Sequence, residues 1–225
     1  MKNAWLLVPA LVAAGLWLGV RQLTVRAAAD ITVIPAATVV ALPAYAEGSG
    51  SYSYVGSTAC KKCHIKEHKS WAASKMGKAF ETLKPGQAQE IRERFHVDVN
   101  KDYTRDPACL KCHTTGYGKP GGYVLPPEGD AKAAREAAKM EGVGCESCHG
   151  PASEYIKVFE EITKSKRKYK LEELTKVGLI VLDETTCKGC HNTESPTHDA
   201  SKPFEFAHMV EEGVHERVPL KDRED

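Results

Sequence analysis

The sequence has almost no net charge, and it has no cysteine outside one repeated motif. The chain carries 31 basic and 30 acidic side chains. Leaving out residues 1–46 removes Lys2, Arg21, Arg26 and Asp30, so that 28 basic and 29 acidic side chains remain, a formal charge of −1. Domains that bind nucleic acids carry a clear basic excess. The balance of charge therefore argues against a nucleic-acid partner.

A five-residue motif, Cys-x-x-Cys-His, occurs four times and uses all eight cysteines. Its members are Cys60, Cys63 and His64; Cys109, Cys112 and His113; Cys145, Cys148 and His149; and Cys187, Cys190 and His191. This motif is the attachment signature of c-type haem, because two thiols three positions apart can each add to one vinyl group and the next residue is held beside the iron as its proximal ligand. The spacings between motifs are too uneven for a solenoid. The sequence therefore predicts four covalently bound haems, with their iron, as the cofactors.

Other uses of paired cysteines are the alternatives to haem. Zinc sites, redox dithiols, iron–sulfur clusters and disulfides all employ such pairs, but none requires a histidine directly after the second cysteine. Histidine accounts for 9 of the 225 residues. Four pairs would all be followed by histidine by chance on the order of once in a million, so a zinc or disulfide protein remains only the minor alternative.

The first 46 residues have the composition of an export signal or a membrane anchor followed by a spacer. An apolar run extends from Ala4 to Val20, and Ala44-Tyr45-Ala46 suits cleavage by signal peptidase. Two arginines after the run disagree with simple export, since basic residues normally stay inside. Because covalent haem attachment is expected in an oxidising compartment, we predict a periplasmic or otherwise extracytoplasmic domain over 47–225. An uncleaved anchor in the cytoplasmic membrane is the alternative.

The predicted domain is mostly α-helical, with short helices and long loops wrapped around four haems. Roughly 180 residues must enclose four porphyrins, about 45 residues for each, and each porphyrin supplies apolar surface that side chains would otherwise provide. Little sheet is expected. The sequence pattern predicts helices over 65–83, 87–95, 131–140, 154–162 and 171–179, with Asp130 and Ser153 as N-caps. The basic run 164–170 is typical of a solvated surface, or of a docking site for an acidic partner.

From about Cys60 to Lys221, the chain resembles the tetrahaem cytochrome c-554 family. The resemblance rests on the four motifs and on their surroundings: Ser70-Trp71, 79–85, Lys101-Asp102-Tyr103-Thr104, Gly121-Gly122-Tyr123, 142–151 and Val214-His215-Glu216. It implies a mostly helical fold with haems in close stacked and perpendicular contact, and electron transfer linked to hydroxylamine oxidation.

The resemblance also implies the iron ligands. His64, His113, His149 and His191 would be the proximal ligands of haems one to four, and His215 would be the sixth ligand of haem four. The sixth ligand of haem three falls on Met76. Either its thioether binds the iron and raises that haem's potential, or Met76 is an ordinary core residue.

Two haems are left without an obvious sixth ligand. The family ligand of haem one falls on Phe159, which cannot bind iron, and His96 is the candidate replacement. A ligand from a neighbouring copy and an open iron are the alternatives. Haem two has only its proximal histidine in the family, so His113 would leave one coordination position open.

The predicted function is the relay of single electrons between donor and acceptor redox proteins, with a multihaem hydroxylamine-oxidising or reductase complex as the partner that the resemblance implies. Two alternatives remain. An open iron could reduce nitric oxide or a related nitrogen oxide, or self-association could build a conductive filament.

Overall fold

Ten short α-helices and one 3₁₀ helix form the regular structure of the computed structural model, which describes residues 52–220 and 222–225. The helices are α1 (Ser57–Cys60), α2 (Ile65–Ala73), the 3₁₀ helix (Ala79–Leu83), α3 (Gln89–Arg94), α4 (Pro107–His113), α5 (Ala131–Ala138), α6 (Cys145–His149), α7 (Tyr155–Ser165), α8 (Leu171–Thr175), α9 (Glu184–Lys188) and α10 (Phe206–Glu212). Within those residues, β pairing is limited to the isolated bridges Thr114–Glu141 and Tyr169–Arg223. The expectation of a mostly helical fold with long connections is confirmed.

The predicted export signal and its cleavage site lie outside the described residues. Across the part of the chain that is described, no helix is both long enough and apolar enough to cross a membrane.

The first predicted helix is broken where the sequence pattern favoured one helix over 65–83. Helix α2 ends at Ala73, and Ser74 adopts an extended conformation with its hydroxyl accepting a hydrogen bond from the Gly77 N–H. A Cβ at Gly77 would lie 2.5 Å from the Trp71 carbonyl oxygen, so the turn needs glycine there. In the turn that follows, the Met76 carbonyl accepts a hydrogen bond from the Val143 N–H.

The other helices follow the prediction at their starts more closely than at their ends. Asp130 caps α5 as expected, accepting hydrogen bonds from the backbone N–H groups of Lys132 and Ala133. Ser153 does not cap α7, because its hydroxyl accepts a hydrogen bond from the Ser53 N–H instead. Helix α8 ends at Thr175, four residues earlier than predicted.

Two small apolar clusters form the core of the described residues. The first consists of Phe80, Leu83, Leu110, Tyr123, Ala137 and Met140. The second consists of Ile162, Tyr169 and Leu174, with Tyr155, Val158, Phe159 and Leu179 packed against it. Neither cluster is large for a chain of this length, which agrees with an interior completed by prosthetic groups.

The basic run 164–170 is exposed except for Tyr169, which is buried. The Tyr169 N–H donates to the Asp222 carbonyl, and the Tyr169 carbonyl accepts from the Glu224 N–H. Lys168 forms an ion pair with Glu224. The run is therefore surface that the C-terminal residues hold in place through Tyr169.

Candidate haem-binding sites

Each Cys-x-x-Cys-His motif folds as one helical turn. Motif two lies in α4 and motif three forms α6. In motifs one and four, the backbone N–H of the histidine donates to the backbone carbonyl of the first cysteine. His64 donates to Cys60 in this way, and His191 donates to Cys187. Positions i, i+3 and i+4 share one face of a helical turn. Each motif therefore presents two thiols and one imidazole to the same side.

The thiols of different motifs come together in pairs. Cys60 and Cys145 are close enough to hydrogen-bond, and this bond lowers the pKa of Cys145 to about 6 while it raises that of Cys60. Cys112 and Cys190 form a second pair, in which the bond lowers the pKa of Cys112 to about 7. None of the eight cysteines forms a disulfide. Motif one therefore lies against motif three, and motif two lies against motif four.

Hydrogen bonds from both earlier motifs fix the entry to motif three. The Ser57 hydroxyl accepts from the Cys145 N–H, and the Trp71 indole N–H donates to the Val143 carbonyl at 2.8 Å. From the end of motif two, the Thr115 hydroxyl donates to the Gly142 carbonyl and accepts from the Gly144 N–H. Motif three is thus the one on which motifs one and two converge.

Glycines bracket motif three because the chain is crowded at both ends. Gly142 and Gly150 each have a φ of 80°, which favours glycine. A Cβ at Gly142 would lie 2.5 Å from the Gly77 carbonyl oxygen, and one at Gly150 would lie 2.6 Å from that of Gly178. Any side chain at either position would push the motif away from its supports.

The imidazole of His113 is oriented by its neighbours. Its Nδ1 lies 2.7 Å from the Ala79 carbonyl oxygen and 3.2 Å from the Thr82 hydroxyl. A carbonyl can only accept, so the proton is assigned to Nδ1 and Nε2 keeps its lone pair. This is the arrangement that histidine ligands of metals commonly adopt.

The rings of His149 and His215 are neighbours, with their centroids 6.4 Å apart and their planes tilted by 45°. His215 Nδ1 lies 2.8 Å from the Glu216 carbonyl oxygen, which leaves Nε2 as the free lone pair. The Glu216 backbone N–H donates to the Ser70 hydroxyl on α2, and this bond fixes the chain around His215 against α2. Burial, followed by the charges of His215 and His64, lowers the pKa of His149, which favours the neutral form that binds metals.

These donor sets fit c-type haem, since each helical turn offers one imidazole and two cysteines that are outside any disulfide. Comparison with known proteins decides the family. The curated Cytochrome c-554 of Nitrosomonas europaea is 33% identical in an alignment 191 residues long that covers 75% of this chain and 77% of that protein. The chain belongs to the cytochrome c-554 family. It is a tetrahaem c-type cytochrome of an electron-carrier family, and it binds four haems.

Two further comparisons agree with membership of the cytochrome c-554 family. The family described as cytochrome c554 and c-prime matches residues 59–150. The solved structure of the reduced state of cytochrome c554 from Nitrosomonas europaea superimposes with a TM-score of 0.67 at 30% identity, covering 78% of this chain and 91% of that one. The helical fold is thus shared over most of the chain.

The residues predicted as sixth ligands do not all lie beside the motif to which the resemblance assigns them. The resemblance assigns His215 to haem four, whereas its ring contacts His149 of motif three. The ring of His191 stacks instead on Phe204, with centroids 4.6 Å apart. Met76 is half-buried beside the entry to motif three.

His96 is exposed and has a positive φ of 55°, at the end of the turn after α3. The ring that lies against His64 is that of Phe159, with centroids 5.8 Å apart. Phe159, which the resemblance places where the family has a histidine, therefore lies beside motif one.

Sequence reasoning missed two buried charged residues that support the motifs. Glu146, between the cysteines of motif three, is 1% exposed, and its carboxylate accepts hydrogen bonds from the N–H groups of Val55, Gly56 and Ala152. Burial raises the pKa of Glu146, while these N–H groups oppose the shift. The carboxylate therefore links motif three to the distant segment at Val55 and Gly56 and to Ala152, just after the motif.

Arg92 is the second such residue, and it is 4% exposed. Its guanidinium donates to five backbone carbonyls: Thr82, Lys84, Asp98, Val99 and Lys101. Because Thr82 belongs to the 3₁₀ helix, Arg92 also positions the groups that orient His113. In the sequence, both residues look like ordinary charges in polar surroundings, and no pattern distinguishes them.

Proposed function

We propose that the protein relays single electrons between redox partner proteins in the periplasm. In this proposal the eight cysteines hold the four haems, and His64, His113, His149 and His191 are the proximal ligands. Each haem supplies an iron that alternates between the ferrous and ferric states. The polypeptide holds the four attachment points close together and sets the surroundings of each iron.

The observation that carries the proposal is the pairing of thiols between motifs. Cys60 lies against Cys145, and Cys112 lies against Cys190. Cys148 also lies near Cys187, so motif three adjoins motif four. These contacts support a continuous order of motifs: one, three, four, two. The two ends of that order, at motifs one and two, are where we expect electrons to enter and leave.

We further propose that His215 is the sixth ligand of the iron bound by His149. Two imidazoles bound at about 2 Å on opposite sides of one iron have centroids roughly 6 Å apart, and the two rings lie 6.4 Å apart. Met76 would then be a packing residue beside motif three. An iron with two imidazole ligands has a lower potential than one with a thioether ligand.

The donor and acceptor are proposed to be redox proteins. A multihaem hydroxylamine-oxidising or reductase complex is the partner that the resemblance implies. The basic run 164–170 offers a surface for an acidic partner, because most of its side chains are exposed.

Intact-mass analysis combined with coulometric titration tests the relay. The native protein should weigh four haems more than its polypeptide, and the oxidised protein should take up four electrons without consuming any substrate. A mass corresponding to fewer haems, or an uptake of fewer than four electrons, would contradict the proposal. Spin coupling between the haems of motifs one and three in electron paramagnetic resonance would support the proposed order.

A further inference from the structure

We infer that the exposed lysines around motif one form a docking surface for an acidic redox protein, which exchanges electrons with the haem attached there. The inference rests on the proposed function, because it needs a haem at motif one. It deepens that function by giving one end of the relay a partner of defined charge. The lysine surface consists of Lys61, Lys62, Lys66, Lys69, Lys75 and Lys78.

The segment 61–78 is strongly basic, although the chain as a whole is close to neutral. It contains the six lysines and a single acidic residue, Glu67. All six lysines are exposed. Glu67 offsets them little at the surface, since its side chain is only 16% exposed and its carboxylate lies 3.5 Å from Nδ1 of His64. The overall balance of charge therefore hides a local basic excess.

Most members of the lysine surface have no carboxylate partner. Within the residues that the structure describes, Lys66 is the one member that forms an ion pair, with Glu216 at 3.9 Å. Both of these side chains are exposed, so the pair is weak. Elsewhere, Lys84, Lys111 and Lys139 each hold a carboxylate at 2.7 Å or less. The positive charge around motif one is therefore left for a partner outside the chain.

The lysine surface flanks the haem attachment point that is most open to solvent. Cys63 is exposed, whereas the other seven cysteines are only partly exposed. Ile65, two residues later, is 62% exposed, and it shares a face of α2 with Lys69, four positions along the helix. An apolar centre with a charged rim is the usual composition of a protein–protein interface. An ordinary solvated run of lysines has no such centre and no cofactor attachment point within it.

A second basic segment adjoins motif one. The ring of Phe159 stacks on that of His64 and meets that of Tyr169 edge-on, with centroids 5.8 Å apart in both cases. Tyr169 is the buried member of the basic run 164–170, and the other residues of the run are exposed. Phe159 therefore links the run to motif one, and the charges of the run add to the positive potential there.

The segments around motifs two and four differ in charge from the lysine surface. The segment 183–212, which contains motif four, has seven acidic and two basic side chains. Near motif two, Lys111 pairs with Glu194 and Arg105 pairs with Glu128. An acidic protein would therefore be attracted to motif one and repelled from motif four, so that charge alone orients the encounter.

Stopped-flow kinetics with an acidic electron donor test the inference. The probe is reduced plant-type ferredoxin, a small acidic protein whose low potential lets it reduce c-type haems. The rate constant for reduction of the fully haem-loaded, oxidised protein is measured against ionic strength. The variant Lys62→Glu/Lys69→Glu reverses two charges of the lysine surface. The matched control is Lys132→Glu/Lys202→Glu, which has the same total charge, because both residues are exposed and neither pairs with another described residue.

At low ionic strength, Lys62→Glu/Lys69→Glu should react about tenfold or more slowly than the wild type, which is within the range that electrostatic steering supplies. The control should slow the reaction by less than about twofold. The difference should vanish near 1 M salt, where the Debye length falls to about 3 Å. If Lys62→Glu impairs haem attachment, Lys69→Glu/Lys75→Glu takes its place with the same expected result.

Equal slowing in the two double variants would show that only total charge matters and would overturn the inference. A wild-type rate constant that does not fall with added salt would overturn it as well. Binding of the wild type to phosphatidylserine vesicles, together with such a salt-independent rate, would assign the lysine surface to a membrane instead. Intact mass and coulometric titration separate these outcomes from a failure of the proposed function, because four haems and four electrons would remain when only the docking surface is wrong.

Discussion

The imidazole rings of His149 and His215 lie 6.4 Å apart, although the two residues belong to distant parts of the chain. His149 is fixed by its motif, whereas His215 is brought in by the bond from the Glu216 N–H to the Ser70 hydroxyl. The C-terminal segment therefore contacts α2, the helix that follows motif one, and reaches motif three from there. In the proposed assignment, in which His215 binds the iron held by His149, position 76 needs no histidine.

Replacing His215 by alanine should convert one six-coordinate haem to high spin and raise its potential, because one imidazole ligand is lost. Electron paramagnetic resonance and a redox titration measure both effects. His208→Ala is the control, since His208 is exposed and pairs with Glu212. A reference variant, His191→Met, marks the potential of haem four. If His215→Ala alters haem four, the assignment of His215 to the iron of His149 is wrong. His215 would then serve haem four, as the family resemblance implies.

Replacing Met76 by leucine should leave all four potentials and the visible spectrum unchanged, because His215 already serves the iron beside it. A volume-conserving change of this kind costs less than about 1.5 kcal/mol of stability. The spectrum is checked in the near-infrared, where a thioether bound to ferric iron absorbs. Loss of such a band in Met76→Leu would show that the thioether is a ligand.

Glu146→Gln should destabilise the protein by about 1–3 kcal/mol, because an amide offers one acceptor where the carboxylate oxygens receive three backbone N–H groups. Thermal unfolding followed by Soret circular dichroism measures the change. Glu136→Gln is the matched control, as Glu136 forms only an exposed ion pair with Lys139, and its loss should cost no more than about 0.5 kcal/mol. Equal melting temperatures for the two variants would show that Glu146 does not hold the motif.

Arg92→Lys should destabilise the protein by about 2–3 kcal/mol, since a lysine cannot reach five carbonyls that the planar guanidinium serves together. The loosened 3₁₀ helix should also shift the resonance Raman stretching frequency between iron and the His113 nitrogen. Arg94→Lys is the control, because Arg94 is an exposed neighbour that pairs with Asp199. A variant that loses stability without any shift in that frequency would separate Arg92 from the orientation of His113.

The sequence predicted what short-range chemistry determines. The motif is complete within five residues, so the sequence predicts all four attachment points and their proximal histidines without any tertiary information. The cap at Asp130 was predictable for the same reason. The ends of helices were less predictable. The turn after Ala73 brings the Met76 carbonyl to the Val143 N–H, a contact that no local pattern reveals.

The pairing of proposed sixth ligands with particular haems could not be predicted from spacing, because the residues lie on segments that meet only in the folded chain. His215 depends on α2 for its position, and Phe159 depends on the packing of Tyr169. His96 was a reasonable candidate by its place before motif two, but it lies exposed at the end of a turn. The family resemblance indicated which positions to consider as iron ligands. It could not indicate a replacement ligand where this chain has a different residue.

The buried carboxylate in motif three joins parts of the chain that are far apart in sequence. Glu146 accepts hydrogen bonds from the backbone N–H groups of Val55 and Gly56, which lie 91 and 90 residues earlier, and of Ala152, just after the motif. Opening any of these bonds would leave a carboxylate that is 1% exposed short of a partner, which is costly. The first described residues and motif three must therefore move, and unfold, as one unit.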